Sequence, residues 1–132
     1  NDDTLKVSIS TTIQNINALN IPKLINMCQT LEEQAVPFFF IPVVGTMTLD
    51  VTPKRVLKEA IDLLEAMPKR MQIPIDDLLA NYRDAYNSKI DKKKVQAFFD
   101  EQKMFDLKRN QNLFETIPYF IELADEFNIE RW

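Results

Sequence analysis

The stretch TPKRVLKEAIDLLEAMP, residues 52–68, decides the fold class. Val56, Leu57, Ala60, Ile61, Leu64 and Met67 recur at steps of three and four, the spacing that gathers side chains on one face of an α-helix. Thr52 carries a side-chain oxygen suited to an N-cap, and Pro53 fits the first helical position, where its missing N–H leaves nothing unpaired. Pro68 ends the helix. A helix start, an apolar stripe and a helix stop therefore agree within one short segment.

Working toward the C-terminus, the pattern repeats. Pro74 opens a second helix that buries Ile75, Leu78, Leu79, Tyr82 and Tyr86 and ends near Ser88; Asp76 and Asp77 sit in its first turn, where acids complement the helix dipole. Asp91 caps a third helix with Val95, Phe98 and Phe99 facing inward, although Lys92, Lys93 and Lys94 occupy its first turn and oppose the dipole. Leu113, Phe114, Ile117, Phe120, Ile121, Ala124 and Phe127 continue at helical spacing, with Pro118 kinking or restarting the helix.

The N-terminal third is less regular. Leu5, Val7 and Ile9 alternate with Lys6 and Ser8, which is the period of a half-buried strand or of an irregular lead-in. Ile13, Ile16 and Leu19 then predict a short helix, and Leu24, Ile25, Cys28 and Leu31 a second helix from Pro22 to about Gln34. Between residues 35 and 51 the helical plan breaks. Pro37 and Pro42 bracket Phe38, Phe39, Phe40 and Ile41, and Met47, Leu49 and Val51 alternate with Thr48 and Asp50. The Gly45–Thr46 pair suits a type II′ turn, so the preferred reading is a small β-hairpin near residues 43–51, with an extended loop packed on the helices as its competitor.

These elements predict a mainly α fold, an irregular bundle of five to six helices forming one domain over residues 1–132. Hydrophobic residues make up 45% of the chain, too many for a disordered segment, and a single glycine suits a helix-rich chain in which six of the seven prolines fall at or near element boundaries. The first residue, Asn1, is not a methionine, which reads as a fragment or a processed product of a longer chain and leaves open a targeting segment removed from it. One cysteine, Cys28, on an apolar stripe, makes no internal disulfide and places the chain in a reducing, intracellular and by default cytoplasmic setting. No charge-free run is long and unbroken enough for a membrane span.

Composition also removes chemistries. With no histidine and one cysteine, the usual structural zinc sites have no ligands, and the paired acids Glu32/Glu33, Asp76/Asp77 and Asp125/Glu126 are consecutive, pointing apart on a helix. No metal site, catalytic residue or cofactor is assigned. The commonest general base is missing, and one glycine cannot build a phosphate-cradling loop. The net charge of −4 divides unevenly: −3 over residues 1–52, +3 over 53–109 and −4 over 110–132. Lys89, Lys92, Lys93 and Lys94 form a candidate basic patch, but the acidic whole disfavours nucleic acid as a partner.

The positive feature is the apolar run. Phe38, Phe39, Phe40 and Ile41 cannot all face one core from a regular element, so some point into a second cluster, a cavity or a partner. Together with Val43, Val44 and Met47 they form the candidate binding segment for another protein. The expected function is a non-enzymatic interaction module: an adaptor, an inhibitor or a subunit of a larger assembly. The acidic residues Glu122, Asp125, Glu126 and Glu130 offer a second contact, for a basic partner. The alternative is a carrier in which nine phenylalanines and five methionines line an apolar cavity. A cofactor-free enzyme using Asp, Glu, Lys or the phenols Tyr82, Tyr86 and Tyr119 ranks third.

Overall fold

A computed structural model describes residues 9–27, 38–42, 45–69 and 73–132. The alternation over Leu5 to Ser8, the helix beyond Met27 with Cys28, and Val43 and Val44 lie outside the described residues. The fold is mainly α. Strand β1 (Ile9–Ile13) leads through a 3-10 turn (Asn15–Asn17) into α1 (Asn20–Met27), and the chain returns as β2 (Phe38–Pro42). Then follow α2 (Lys54–Glu65), α3 (Ile75–Asn87), α4 (Lys92–Arg109), α5 (Leu113–Thr116) and α6 (Phe120–Glu126).

β1 and β2 pair in parallel, with Ile9 opposite Phe38 and Ile13 opposite Pro42. Parallel neighbours need a crossover of a dozen or more residues, and α1 lies within it. This corrects the hairpin reading. Residues 45–51 run through turns and bends, and the partner of Phe38–Pro42 is the N-terminal strand rather than the residues just beyond Gly45. The positive φ assigned to Gly45 is present, at 101°, in a bend. The competing reading, an extended loop on the helices, describes this segment: Leu49 and Val51 are buried, and Met47 packs behind them.

Four further expectations change. The helix read over Ile13 to Leu19 is the end of β1 followed by the 3-10 turn; the same apolar residues are used, but Asn17 binds back to the Gln14 N–H (2.9 Å) and tightens the chain. Pro22 lies inside the first turn of α1 instead of opening it, a place where a missing N–H is tolerated. Thr52 does not cap α2; it is fully buried, and the Pro53 carbonyl starts the helix by accepting from Val56 and Leu57. Tyr86 is half exposed, and Ala85 takes the buried position at the end of α3. Pro118 restarts the chain, separating α5 from α6.

Asp91 caps α4 as its sequence position predicts, its Oδ1 accepting from the Lys93 N–H at 2.9 Å. At the other end Asn110 adopts the left-handed conformation, φ 52°. Asparagine tolerates this conformation better than most residues, and in a chain with one glycine it does the work that glycine usually does at a helix end.

The interior has two clusters. The first gathers Ile13, Ile21, Ile25, Leu57, Leu64, Leu78 and their neighbours from β1, α1, α2 and α3, with Tyr82 as its one fully buried ring. The second, from α4, α5 and α6, is aromatic: Phe98, Phe99, Phe114 and Phe120 lie within ring-to-ring reach, and Trp132 closes on Phe114 at 4.8 Å. The 45–51 loop feeds both, Leu49 into the first and Val51 into the second. A buried asparagine sits on the seam. Asn15 donates from its side chain to the Val51 carbonyl (2.9 Å) and from its backbone to Met47 (3.0 Å), while its own carbonyl accepts from the Tyr119 hydroxyl (2.5 Å).

Candidate interaction surfaces

The Phe38 to Met47 segment divides by register. In β2 successive side chains alternate faces, so Phe40 packs toward the first cluster while Ile41 turns outward and is 53% exposed. Phe38 and Phe39 hold strand positions opposite Ile9 and Ser10. Met47 packs on the second cluster, and Thr46 donates its hydroxyl to Glu101, tying the loop to α4. Of the expected contact residues whose side chains are described, Phe40, Ile41 and Met47, Ile41 is the exposed one.

The basic patch is likewise divided. Lys89, Lys92 and Lys93 are exposed around the start of α4. Lys94 is engaged by Asp50 at 2.7 and 3.0 Å. Burial alone would raise the Asp50 pKa, but hydrogen bonds from Lys94 and Thr48 outweigh it and hold the carboxyl below its ordinary range. Lys54 is spent at a helix end. Its ammonium donates to the carbonyls of Ala85 (2.7 Å), Tyr86 (2.8 Å) and Ser88 (2.6 Å), satisfying acceptors that the last turn of α3 leaves open. Burial lowers its pKa, against the pull of Asp50 and Glu126.

Two of the three phenols, those of Tyr82 and Tyr119, secure the fold. Tyr82 donates to the Ala18 carbonyl and Tyr119 to Asn15, and burial drives both pKa values up, away from any use as a base near neutral pH. Asp106, 8% exposed, accepts from the Leu113 N–H (2.7 Å) and from the indole N–H of Trp132 (2.8 Å). Among the described residues no group of three His, Cys, Asp or Glu is placed to hold a metal ion, and no helix is long and apolar enough to cross a membrane. A cleft of about 260 Å³ lies between α1 and the end of α2, with Pro22, Leu63 and Met67 in its wall. Another, of about 270 Å³, is bordered by Thr48, Asp50, Asn81 and Asp84. Neither has a phenylalanine in its lining; Phe98, Phe99, Phe114 and Phe120 fill the core.

The surface that sequence reading missed is the outer face of α4. The inward face carries Val95, Phe98 and Phe99, then turns polar, with Gln102 9% exposed and Asp106 beside it. On the opposite face Met104 is 47% and Leu107 77% exposed, three residues apart and therefore side by side. In its second half α4 thus buries polar side chains and presents apolar ones. Within a turn of these two residues lie Lys103 and Lys108, Asp100, which is engaged by Gln96 at 2.9 Å, and Glu101, which accepts from Thr46. The signal lay in the sequence: steps of three and four from Val95 through Gln102 to Asp106 leave Met104 and Leu107 about half a turn away.

No protein-family model, curated protein or solved structure matches this chain, so the arrangement is interpreted from its own residues.

Proposed function

We propose that this chain is a non-enzymatic, helical protein-interaction module, working as an adaptor, inhibitor or subunit of a larger assembly. The observation that carries the reading is the reversed polarity of α4, which leaves Leu107 77% exposed with Met104 beside it while Gln102 and Asp106 are turned in. Water gains nothing from an exposed leucine. Covering it with a partner returns about 25 cal/mol per Å² of apolar surface, the usual driving term for protein association. The engaged ionisable groups elsewhere in the fold are compatible with that role. Asp50, Lys94, Lys54, Asp106, Tyr82 and Tyr119 are engaged with one another or with backbone groups, in positions that secure the fold.

Site-specific photo-cross-linking tests this. A benzophenone amino acid replacing Leu107, introduced in cells that make the protein, is expected to yield a discrete covalent adduct with a second polypeptide. The same group replacing Asp62, an exposed residue of α2, is expected to yield none. Absence of an adduct at position 107, or equal labelling at both positions, overturns the reading.

A further inference from the structure

We infer that the corner between α4 and α5 is a recognition site for a tryptophan side chain, which this protein closes with its own Trp132 and which a tryptophan of a partner polypeptide enters when Trp132 withdraws. The site lies on the inward face of α4, away from Met104 and Leu107, so it goes beyond the interaction surface proposed above and stands separately from it.

Trp132 is met as a ligand is met, group by group. Its ring centroid lies 4.8 Å from that of Phe114 and 6.1 Å from that of Phe99, its indole N–H donates to the Asp106 carboxylate at 2.8 Å, and its main-chain oxygen accepts from the Asn112 side chain at 2.9 Å. Both polar partners are fixed from the other side. Asp106 also accepts from the Leu113 N–H at 2.7 Å, and the Asn112 side-chain oxygen accepts from the N–H groups of Phe114 and Glu115 at 3.0 and 3.2 Å. A ring that only sealed the core would need no carboxylate at its edge. Asp106 is 8% exposed and forms no ion pair among the described residues, so N–H donors alone offset the cost of burying its charge. Withdrawal of Trp132 leaves that charge with one donor and makes the corner selective for an aromatic ring that brings an N–H of its own.

Little else holds Trp132 in place. The Ile129 N–H, bonded to the Ala124 carbonyl at 2.8 Å, is the last main-chain tie among the described residues; Glu130 and Arg131 are exposed, and Arg131 reaches Asp125 at only 3.9 Å. The closed state is also imperfect. Gln102 lies between Phe99 and Asp106 on the same face of α4, and its side-chain nitrogen is buried with no acceptor. A buried donor left unpaired costs free energy that opening recovers.

The tests use the full chain with N-acetyltryptophanamide, which carries an indole and main-chain carbonyls, and with its N-methylindole counterpart, which lacks the N–H. In Trp132→Ala the first is expected to shift the amide signals of Phe99, Asp106 and Phe114, raise the thermal midpoint, and bind about tenfold more tightly than the second. The parent protein is expected to bind neither at the same concentrations, because its own Trp132 competes from within the chain. In the parent the Trp132 indole N–H is expected to exchange with solvent faster than the Phe98 and Leu123 amides, at a rate that low urea leaves unchanged, the mark of local opening. Equal binding of the two ligands, binding of neither, or equal binding by parent and variant overturns the site. So does a Trp132→Ala chain that is unfolded both without and with the ligand, which makes Trp132 a fixed member of the core. An indole N–H that exchanges only together with the Phe98 amide overturns the withdrawal of Trp132.

Discussion

The two clusters of this protein fill their interiors by different means. The first is mainly aliphatic, with isoleucine and leucine from β1, α1, α2 and α3 around Tyr82, its one fully buried ring among the described residues. The second packs four phenylalanines and Trp132 between α4, α5 and α6. Branched aliphatic chains fit many partners at moderate individual cost. Rings are larger and hold preferred mutual angles, as the edge-on contacts of Phe99 with Phe98 and Trp132 do. The elements differ too. α2 and α3 are regular helices of twelve and thirteen residues packed against each other, whereas the aromatic cluster draws Phe98 and Phe99 from the eighteen-residue α4 and Phe114 and Phe120 from the short helices α5 and α6.

The largest effect should come from breaking the aromatic cluster. Phe98→Ala is expected to cost about 4 kcal/mol and Leu57→Ala, its fully buried aliphatic counterpart, about 3 kcal/mol, both read from urea midpoints at constant slope. Equal costs would remove the distinction between the clusters. Next is the seam. Asn15→Ala takes the donor from the Val51 carbonyl and is expected to cost about 2 kcal/mol. It also sharpens the comparison, because the only tryptophan lies in the second cluster. Tryptophan fluorescence therefore follows one cluster and far-ultraviolet circular dichroism follows both. The two transitions are expected to coincide in the parent protein and to separate in Asn15→Ala; coincidence in both proteins would show that the seam is not what couples them.

The smallest effect concerns pH. Asp50 ties the 45–51 loop to α4 through Lys94, and its carboxyl titrates lower in the folded chain than in the unfolded one. Its contribution is present above the unfolded carboxylate value of about 4 and is lost as pH falls through the depressed folded value. Since both side chains remain partly exposed, the contribution is at most about 1 kcal/mol. Asp50→Asn is expected to flatten the stability profile below about pH 4 by that amount. An unchanged profile would remove the ion pair as a link between the clusters.

The legible parts of this chain were those whose signal is local. Pro53, Pro74 and Asp91 mark helix starts within a residue or two of α2, α3 and α4, and the stripe from Val56 to Leu64 is buried as its spacing requires. The sheet was not legible, because a parallel pair joins Ile9–Ile13 to residues nearly thirty positions away and leaves no turn signature. Gly45 supplied a turn cue that was correct for φ and wrong for pairing. Thr52 shows a related limit: its residue type fits an N-cap, but burial of its side chain followed from the loop packing instead. The burial pattern of the Phe38 to Met47 segment was only partly legible, since strand alternation turns Phe40 in and Ile41 out. Met104 and Leu107 were overlooked because attention to apolar residues as core conceals a helix whose apolar residues face away from it.

The clasp of Trp132 on Asp106, Phe99 and Phe114 has a consequence for the order of events during synthesis. Among the described residues every fully buried member of the aliphatic cluster lies at or before Ala85, so these side chains have been made while most of the aromatic cluster has not. Until the tryptophan emerges, Phe99 and Phe114 lack one wall and the Asp106 carboxylate lacks one of its two donors.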